Sequence, residues 1–373
     1  MQFIDLKAQY EQSKVNINKR IADVLSHGQY IMGPEVHELE VKLAEYIGVK
    51  HAITCANGTD ALQIALMTMG IGKGDAVIVP TFTFFASAEV IALSGATPIF
   101  IDSDLESFNL NASKLEATIL HVLNCTDLNL KAIMAVDLFG QPADYEKINR
   151  LAIQYNLKVI EDAAQGFGGG ISGKQAGCFG DIATTSFFPA KPLGCYGDGG
   201  AIFTDNDDYA ELIRSIRLHG KGKDKYDNVR VGLNSRLDTL QAAILLEKLA
   251  IFPSELVRRN EVANLYSEYL SSQSDFILPT CRENTYSSWA QYSVQAVDKH
   301  RDIYIQRAQN KGIPTAVYYA TCMHQQTVFK DINTAGLDLS NAEQIARSCF
   351  SLPMHPYLSD DEIEQVVTSL QNE

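Results

Sequence analysis

The segment HAITCANGTDALQIALMTM, residues 51–69, contains a short strand-like run, a small turn and a helical pattern. The same alternation continues through the first two-thirds of the chain. Strands are predicted at residues 51–55, 76–80, 98–102, 131–137, 157–162, 181–188 and 200–204, and helices at residues 59–69, 84–93, 113–122, 144–155 and 207–218. Several strands are almost continuously apolar, as expected where both faces are covered. This alternation predicts an α/β fold with a mainly parallel sheet between helices.

The pattern changes near residue 250. An amphipathic helix is predicted over residues 235–249, and we expect it to stop near Pro253. Beyond it, residues 260–269 and 359–370 resemble helices, and residues 286–297 and 315–319 resemble strands. The chain has 373 residues, more than the roughly 250–300 at which one hydrophobic core stops growing. We therefore expect a large domain over residues 1–250 and a smaller C-terminal α+β domain over residues 251–373.

Composition excludes several classes of function. The 31 Lys and Arg residues against 45 Asp and Glu residues leave a net charge of −14, which repels nucleic acid and anionic membranes but not a small anionic substrate in a local basic pocket. The seven cysteines form no CxxC pair, so neither a disulfide framework nor a zinc site is expected, and no other metal motif is present. The N-terminal residues lack a leader pattern and no apolar stretch approaches the ~20 residues that span a bilayer. We expect a cytoplasmic protein.

The turn at residues 55–62 is a candidate phosphate site. Gly58 permits close approach of the backbone, Thr59 offers a hydroxyl, and the helix start presents free N–H groups. The alternative is an ordinary capped helix, with Asn57 or Thr59 as the N-cap.

Two charged residues follow predicted buried strands. Asp162 ends one strand, where a desolvated carboxylate needs a positive partner, although it could instead cap the next segment. Lys191 lies between Pro189 and Pro192 after another strand. A lysine held near apolar walls loses proton affinity, as an imine-forming amine requires; the alternative is a solvated surface lysine.

These features together suit pyridoxal 5′-phosphate (PLP). Lys191 supplies the amine that bonds to the cofactor, and Asp162 supplies the anion that keeps its ring nitrogen protonated. Phe84 offers an aromatic face for the ring. The candidate phosphate ligands are Gly58, Thr59 and Ser186.

The chain resembles the DegT-type nucleotide-sugar aminotransferases nearly from end to end. The motifs that carry the resemblance are FIDL (3–6), GPEV (33–36), NGTDAL (57–62), EDAAQ (161–165), SFF (186–188), Lys191, GDGGA (197–201), HG (219–220), NSRLD (234–238) and SLPMHP (351–356). The resemblance implies the aspartate-aminotransferase-like type I PLP fold. Residues 187–198 and 234–241 are similar to the branch that uses glutamate to aminate a UDP-linked 2-acetamido-2-deoxy-3-keto-hexuronic acid for bacterial O-antigen and lipopolysaccharide assembly.

The resemblance also implies residue roles. Lys191 would be the cofactor lysine, Asp162 the partner of the ring nitrogen and Gln165 a neighbour of the ring hydroxyl. Phe84 would stack on the ring, and Gly58, Thr59 and Ser186 would hold the phosphate. Asn234 would reach that phosphate from the second subunit of a homodimer, so that the active site is shared across the interface.

The expected substrate residues are Arg236, Tyr318, Tyr319, His324 and His219. Arg236 suits a substrate carboxylate; alternatively it forms an ion pair with Asp238 or another helix-surface acid. Tyr319 and His324 resemble residues near the sugar nucleotide, whereas Tyr318 stands where this branch usually has histidine. His219 could contact substrate or cap a helix end.

Two other functions remain open from the sequence. The acceptor could be a 4-keto-6-deoxy sugar linked to UDP or dTDP, because most of the shared residues serve the cofactor. The chain could also be a PLP-binding regulator without turnover. A lysine at position 191 argues against the dehydratase branch of the family, where histidine replaces it.

Overall fold

The structure is a computed structural model that describes residues 1–224, 226–297 and 300–371. Its helices are α1 (Leu6–His27), α2 (Pro34–Ile47), α3 (Gly58–Thr68), α4 (Phe85–Leu93), α5 (Leu115–Cys125), α6 (Tyr145–Gln154), α7 (Asp207–Ile216), α8 (Thr239–Leu270), α9 (Arg301–Asn310), α10 (Ser340–Ser348) and α11 (Asp360–Leu370). Its strands are β1 (His51–Cys55), β2 (Asp75–Pro80), β3 (Thr97–Ile101), β4 (Asn129–Val136), β5 (Lys158–Asp162), β6 (Gly170–Ile171), β7 (Lys174–Gln175), β8 (Ile182–Ser186), β9 (Gly200–Thr204), β10 (Phe276–Ile277), β11 (Thr285–Tyr286), β12 (Tyr292–Ala296) and β13 (Cys349–Leu352).

The central sheet confirms the α/β prediction. Within the described residues it has seven strands in the order β1-β9-β8-β5-β4-β2-β3. The pairs from β8 to β3 are parallel, whereas β9 is antiparallel to both of its neighbours. The carboxyl ends of β1, β2, β5 and β8 therefore meet at one edge of the sheet, where ligands bind in folds of this kind.

The strands of this sheet lie within a few residues of their predicted positions. Their interiors are almost entirely buried, with β9 buried at every position and β2 at all but the first. Helices cover both faces, and the core on one side includes Leu62, Val79 and Ile160 while that on the other includes Leu39 and Phe203. Burial on both faces is why continuous apolar runs marked these strands correctly.

The predicted helix end near Pro253 is wrong. Helix α8 continues through Pro253 to Leu270. Phe252 is fully buried, and its ring lies 5.7 Å from that of Phe167 and 6.0 Å from that of Tyr46. A proline inside a helix costs about 3 kcal/mol, and burial of large apolar side chains, at about 1.5–3 kcal/mol each, offsets that loss.

Helix α8 also contributes to two hydrophobic cores. Leu245 and Phe252 pack with the central sheet, whereas Val262 and Tyr266 pack with the C-terminal sheet β10-β12-β13. Residue 250 therefore lies inside a continuous helix. The division into domains 1–250 and 251–373 stays a prediction.

Two of the predicted C-terminal strands differ from the structure. The run at residues 286–297 is divided into β11, which pairs with β6, and β12, which pairs with β13. Trp289 between them has a φ of +47°, so the backbone turns there. Residues 315–319 form no strand, and only Ala316 makes a bridge, to Ser351.

All seven cysteines are free thiols. In the ranges that the structure covers, no helix has both the length and the apolar character needed to cross a bilayer. The same ranges contain no group of three or more His, Cys, Asp or Glu side chains arranged to hold a metal ion.

Candidate active site

Asp162 lies at the end of β5, where the carboxyl ends of the parallel strands meet. The residue is 4% exposed, and its carboxylate accepts hydrogen bonds from Ser87 Oγ at 2.8 Å and from the Ala164 amide at 3.2 Å. Among the described residues, no cationic side chain lies within 4.0 Å of it. Burial raises the pKa of Asp162, although Ser87, Ala164 and the charge on Lys191 favour the ionised form. A cation from outside the chain would complete this site.

Lys191 faces the same site. Its backbone amide donates to the Phe188 carbonyl at 2.9 Å, which forms a tight turn after β8. Burial lowers the pKa of Lys191, and the negative charge on Asp162 opposes that shift. The two side chains therefore interact electrostatically without forming an ion pair within 4.0 Å. A lowered pKa makes the neutral, nucleophilic form of the amine easier to reach than in a solvated lysine.

The turn between β1 and α3 packs against the end of β8. Asn57 caps α3, because its Oδ1 accepts from the Asp60 amide at 2.8 Å, so the cap expected in the alternative interpretation is present at Asn57. A Cβ atom at Gly58 would lie 2.7 Å from Ser186 Cβ, and one at Gly200 would lie 2.5 Å from the Asn57 carbonyl oxygen. Only glycine permits these contacts. The first amides of α3 thus lie beside Gly58 and Ser186, an arrangement suited to a phosphate.

Three further predicted residues lie together. Gln165 is buried; its Oε1 accepts from the Phe139 amide at 2.7 Å, and its Nε2 donates to Tyr319 OH at 3.1 Å. Burial raises the pKa of the Tyr319 phenol. Phe84, 54% exposed, has its ring 6.2 Å from that of Tyr319. The exposed face of Phe84 leaves room for a flat ligand.

These groups fit PLP. Among the described residues the buried Asp162 carboxylate has no cation within 4.0 Å, as a partner for a protonated ring nitrogen requires. Lys191 offers an amine with a lowered pKa. Gly58 lets the start of α3 pack directly against Ser186, so that free amides and a hydroxyl lie side by side.

A cavity of about 460 Å³ lies next to this arrangement. Its lining consists of Ala56, Asn57, Gly197, Asp198, Asn234, Arg236, Asp238 and Gln241. Within the described ranges, the half-buried Arg236 guanidinium forms no ion pair or hydrogen bond, so the alternative of pairing with Asp238 is not observed. Asn234 is exposed and its backbone bridges to Leu218.

The remaining predicted substrate residues lie in different surroundings. His324 is half-buried between Thr81 Oγ1, 2.7 Å from its Nδ1, and Glu343 Oε1, 3.2 Å from its Nε2. The Tyr318 ring lies 6.2 Å from that of Phe3 and 5.7 Å from that of Tyr319.

His219 is exposed and has a φ of +59°. This left-handed residue and the Gly220 amide, which donates to the Ser215 carbonyl at 2.9 Å, form the turn that ends α7, as the helix-end alternative expects. None of the contacts of His219 joins it to Lys191 or Asp162 within the part of the chain that is described.

Sequence reasoning missed three residues that support the site. Ser87 donates to Asp162, and the fully buried Ser235 accepts from the Ala56 amide at 3.1 Å. Lys248, also fully buried, donates to the Gly194 carbonyl. Ser235 lies within a quoted motif and could have been noticed, whereas nothing local distinguishes Lys248 from other lysines in an amphipathic helix.

The chain is similar to known aminotransferases along almost its whole length. The family model for DegT/DnrJ/EryC1/StrS aminotransferases matches residues 11–371. The UDP-2-acetamido-2-deoxy-3-oxo-D-glucuronate aminotransferase of Pseudomonas aeruginosa is 46% identical over 372 residues, covering 100% of both chains. The dTDP-3-amino-3,6-dideoxy-alpha-D-galactopyranose transaminase of Aneurinibacillus thermoaerophilus is 39% identical, covering 99% of this chain and 98% of the relative.

A solved structure extends the similarity to three dimensions. The crystal structure of NtdA from Bacillus subtilis, with the bound cofactor PMP, is 31% identical and has a TM-score of 0.90, covering 99% of this chain and 84% of that one. The expected resemblance, fold, cofactor and enzymatic activity are thereby confirmed. This chain belongs to the DegT/DnrJ/EryC1/StrS aminotransferase family, whose members are PLP-dependent and act on nucleotide sugars.

Proposed function

We propose that this enzyme transfers the amino group of glutamate to C3 of a UDP-linked 2-acetamido-2-deoxy-3-keto-hexuronic acid, in the cytoplasm, for O-antigen or lipopolysaccharide biosynthesis. The Pseudomonas relative, which is named for a 3-oxo-glucuronate, supports this acceptor. The family acts on nucleotide sugars, and the proposal specifies one acidic sugar among them as the acceptor.

The observation that carries the proposal is the unpaired Arg236 guanidinium. It lines the cavity beside the β1–α3 turn and has no carboxylate partner within the described residues. A guanidinium matches the planar geometry of a carboxylate through two parallel hydrogen bonds. A uronic acid provides such a carboxylate, whereas a neutral 6-deoxy sugar does not.

Each cofactor-side residue has a proposed task. When bound, PLP supplies an aldehyde that bonds to amines and a ring that withdraws electrons from the adjacent carbon. Lys191, once free, moves the proton from the α-carbon of the amino donor, since its lowered pKa suits a general base. Asp162 holds the proton on the ring nitrogen, while Ser87 keeps the carboxylate oriented.

The phosphate and ring contacts complete the cofactor site. We assign the phosphate to Gly58, Thr59 and Ser186, the ring face to Phe84 and the ring hydroxyl to Gln165. The Gln165 amide group already has fixed partners in Phe139 and Tyr319, so its orientation is set before ligand binding.

The active site is proposed to be shared between two subunits. Asn234 is exposed in the single chain, as a residue that reaches the phosphate of a partner subunit would be. The apolar side chain of Phe188, directly after β8, is 52% exposed and is also available for contact with a second subunit. A homodimer would therefore cover both.

The sugar nucleotide is assigned to Arg236, Tyr318, Tyr319, His324 and His219. Tyr319 connects this group to the cofactor side through Gln165. His324 is held by Thr81 and Glu343, which orients its ring.

A 4-keto-6-deoxy sugar linked to UDP or dTDP is the second candidate acceptor. The Aneurinibacillus relative is named for a dTDP-linked amino sugar, and Tyr318 departs from the histidine expected for the uronate branch. The two candidates differ in the charge on C6.

Mass spectrometry of the products distinguishes the two acceptors. The purified enzyme is incubated with PLP, glutamate and a panel of UDP- and dTDP-linked 3-keto-uronates and 4-keto-6-deoxy sugars. We expect the UDP-3-keto-uronate to be aminated far more efficiently than the 4-ketosugars, with Lys191→Ala as the inactive control. Efficient amination of a 4-ketosugar with none of the uronate would contradict the proposed acceptor.

A further inference from the structure

The loop that carries Lys191 is closed by hydrogen bonds within residues 187–195. The Phe187 carbonyl accepts from the Cys195 amide at 2.8 Å, and the Phe188 carbonyl accepts from the Lys191 amide at 2.9 Å. A Cβ atom at Gly194 would lie 2.6 Å from the carbonyl oxygens of both Phe188 and Pro189. Gly194 therefore packs directly on the segment that precedes Lys191, and movement of one requires movement of the other.

Lys248 holds this loop from outside. It lies on α8, is fully buried, and donates from Nζ to the Gly194 carbonyl. The same ammonium lies 4.8 Å from the centroid of the Tyr196 ring, a cation–π contact. Tyr196 is fixed in turn, because its amide donates to Gln241 Oε1 at 2.8 Å. One side chain thus contacts the loop at two positions after Lys191.

The charge on Lys248 has no carboxylate partner within 4.0 Å in the described part of the chain. Glu255, the acid that favours its charged form, is engaged by Gln9 and Tyr357. Burial lowers the pKa of Lys248 to about 8. An unpaired buried ammonium is unfavourable for folding, and an apolar residue of similar volume would avoid that penalty. An apolar residue could not make the contacts with the Gly194 carbonyl and the Tyr196 ring that Lys248 makes.

We propose that Lys248 is a positioning residue for Lys191: by holding the Gly194 carbonyl and the Tyr196 ring, it sets the loop geometry that aims the cofactor-bonding amine. The inference rests on the proposed role of Lys191. Lys248 itself touches no reacting atom. Its effect is therefore on how well Lys191 reaches the cofactor, and not on which sugar is accepted.

The test compares Lys248→Met with a matched control, Arg259→Met. Arg259 is a second buried cation on α8 that donates to a backbone carbonyl, that of Trp289 at 3.0 Å, away from the Lys191 loop. Four quantities are measured: the dissociation constant of PLP from its visible absorbance, the fraction of chains trapped on Lys191 by borohydride reduction, and kcat and KM for glutamate.

We expect Lys248→Met to weaken PLP binding and lower kcat by about 10–100-fold, the range that a small misplacement of a reacting group produces. The fraction of chains trapped with PLP on Lys191 also falls, whereas KM for glutamate changes little. Lys248→Arg, which keeps the charge and a donor, recovers most of the loss. Arg259→Met lowers the melting temperature. It leaves the PLP dissociation constant, the trapped fraction and kcat near the wild-type values.

Several outcomes would overturn the inference. Wild-type PLP affinity and trapping in Lys248→Met would do so, as would equal losses in both methionine variants. Recovery no better in Lys248→Arg than in Lys248→Met would mean that a charged donor at this position does not hold the loop. Should Lys248→Met fail to fold, Lys248→Gln replaces it under the same criteria. If mass spectrometry of the reduced wild-type enzyme finds PLP on another lysine, the proposed role of Lys191 fails, which is a separate result.

Discussion

The two sides of the proposed active site differ in how completely the chain itself satisfies their polar groups. On the cofactor side, Asp162 and Gln165 are buried and hydrogen-bonded to neighbours in the same chain. On the side of residues 234–238, Asn234 is exposed and Arg236 has no polar partner within the described residues. The first side is preformed, and the second keeps its groups available for a ligand or another subunit. Substitutions on the first side should therefore impair every substrate, whereas those on the second should discriminate among substrates.

Lys191→Ala is the strongest test of the preformed side. Removing the amine eliminates both covalent attachment and proton transfer, so we expect kcat to fall by at least about 10²–10⁴-fold with every acceptor. The change in visible absorbance on adding glutamate, followed in a spectrophotometer, is the measurement. The exposed Lys174→Ala variant is the control. Near wild-type turnover in Lys191→Ala would remove the basis for the assignment.

Asp162→Asn keeps the shape of the side chain but removes the charge from the buried site. We expect kcat to fall by about 10²–10³-fold, as when one preorganised electrostatic group is lost, again with all acceptors. Steady-state kinetics with two ketosugars measure this.

Glu161→Gln is the matched control for Asp162→Asn. Glu161 is a buried carboxyl one residue earlier that accepts from the amides of Gly177 and Phe179. The control should lower stability without that kinetic loss. Equal kinetic losses in the two variants would indicate a general effect of buried charge in β5.

Arg236→Ala tests the side formed by residues 234–238. Loss of a hydrogen-bonded cation should lower kcat/KM for the UDP-3-keto-uronate by about 10²-fold, with little change for a neutral 4-ketosugar. Competition between the two acceptors in one reaction gives the ratio directly. Arg214→Ala, an exposed arginine on α7, serves as control. An equal loss with both acceptors would place Arg236 functionally on the cofactor side.

Ser235→Ala should have the smallest effect and connects the two sides. Ser235 precedes Arg236, yet its hydroxyl accepts from the Ala56 amide at the β1–α3 turn. Loss of one buried hydrogen bond should lower the free energy of unfolding by about 1 kcal/mol and weaken PLP binding several-fold. Denaturant unfolding and PLP titration measure these, with the exposed Ser271→Ala as control. An unchanged PLP affinity would mean that the two sides are independent.

Some features of the fold could be predicted from the sequence and others could not. Each strand of the central sheet was recognised because burial on both faces leaves a continuous apolar run. Asp162 and the β1–α3 turn could be proposed as cofactor ligands because strand ends are where ligands bind in this kind of sheet, and their roles stay predictions. The end of α8 was missed because Pro253 is tolerated through contacts of Phe252 with Phe167 and Tyr46, which are far away along the chain.

Residue type and order alone were sufficient for the α/β class, the PLP chemistry and the family, since each depends on short patterns whose physical requirements are local. The hydrogen-bond partners of individual side chains could not be predicted from residue type and order. The Lys248 ammonium donates to a carbonyl 54 residues earlier, and the Ser87 hydroxyl to a carboxylate 75 residues later. Such contacts form only when the packing of helices on the sheet brings distant segments together, because hydrogen bonds depend on distance and direction and not on separation along the chain.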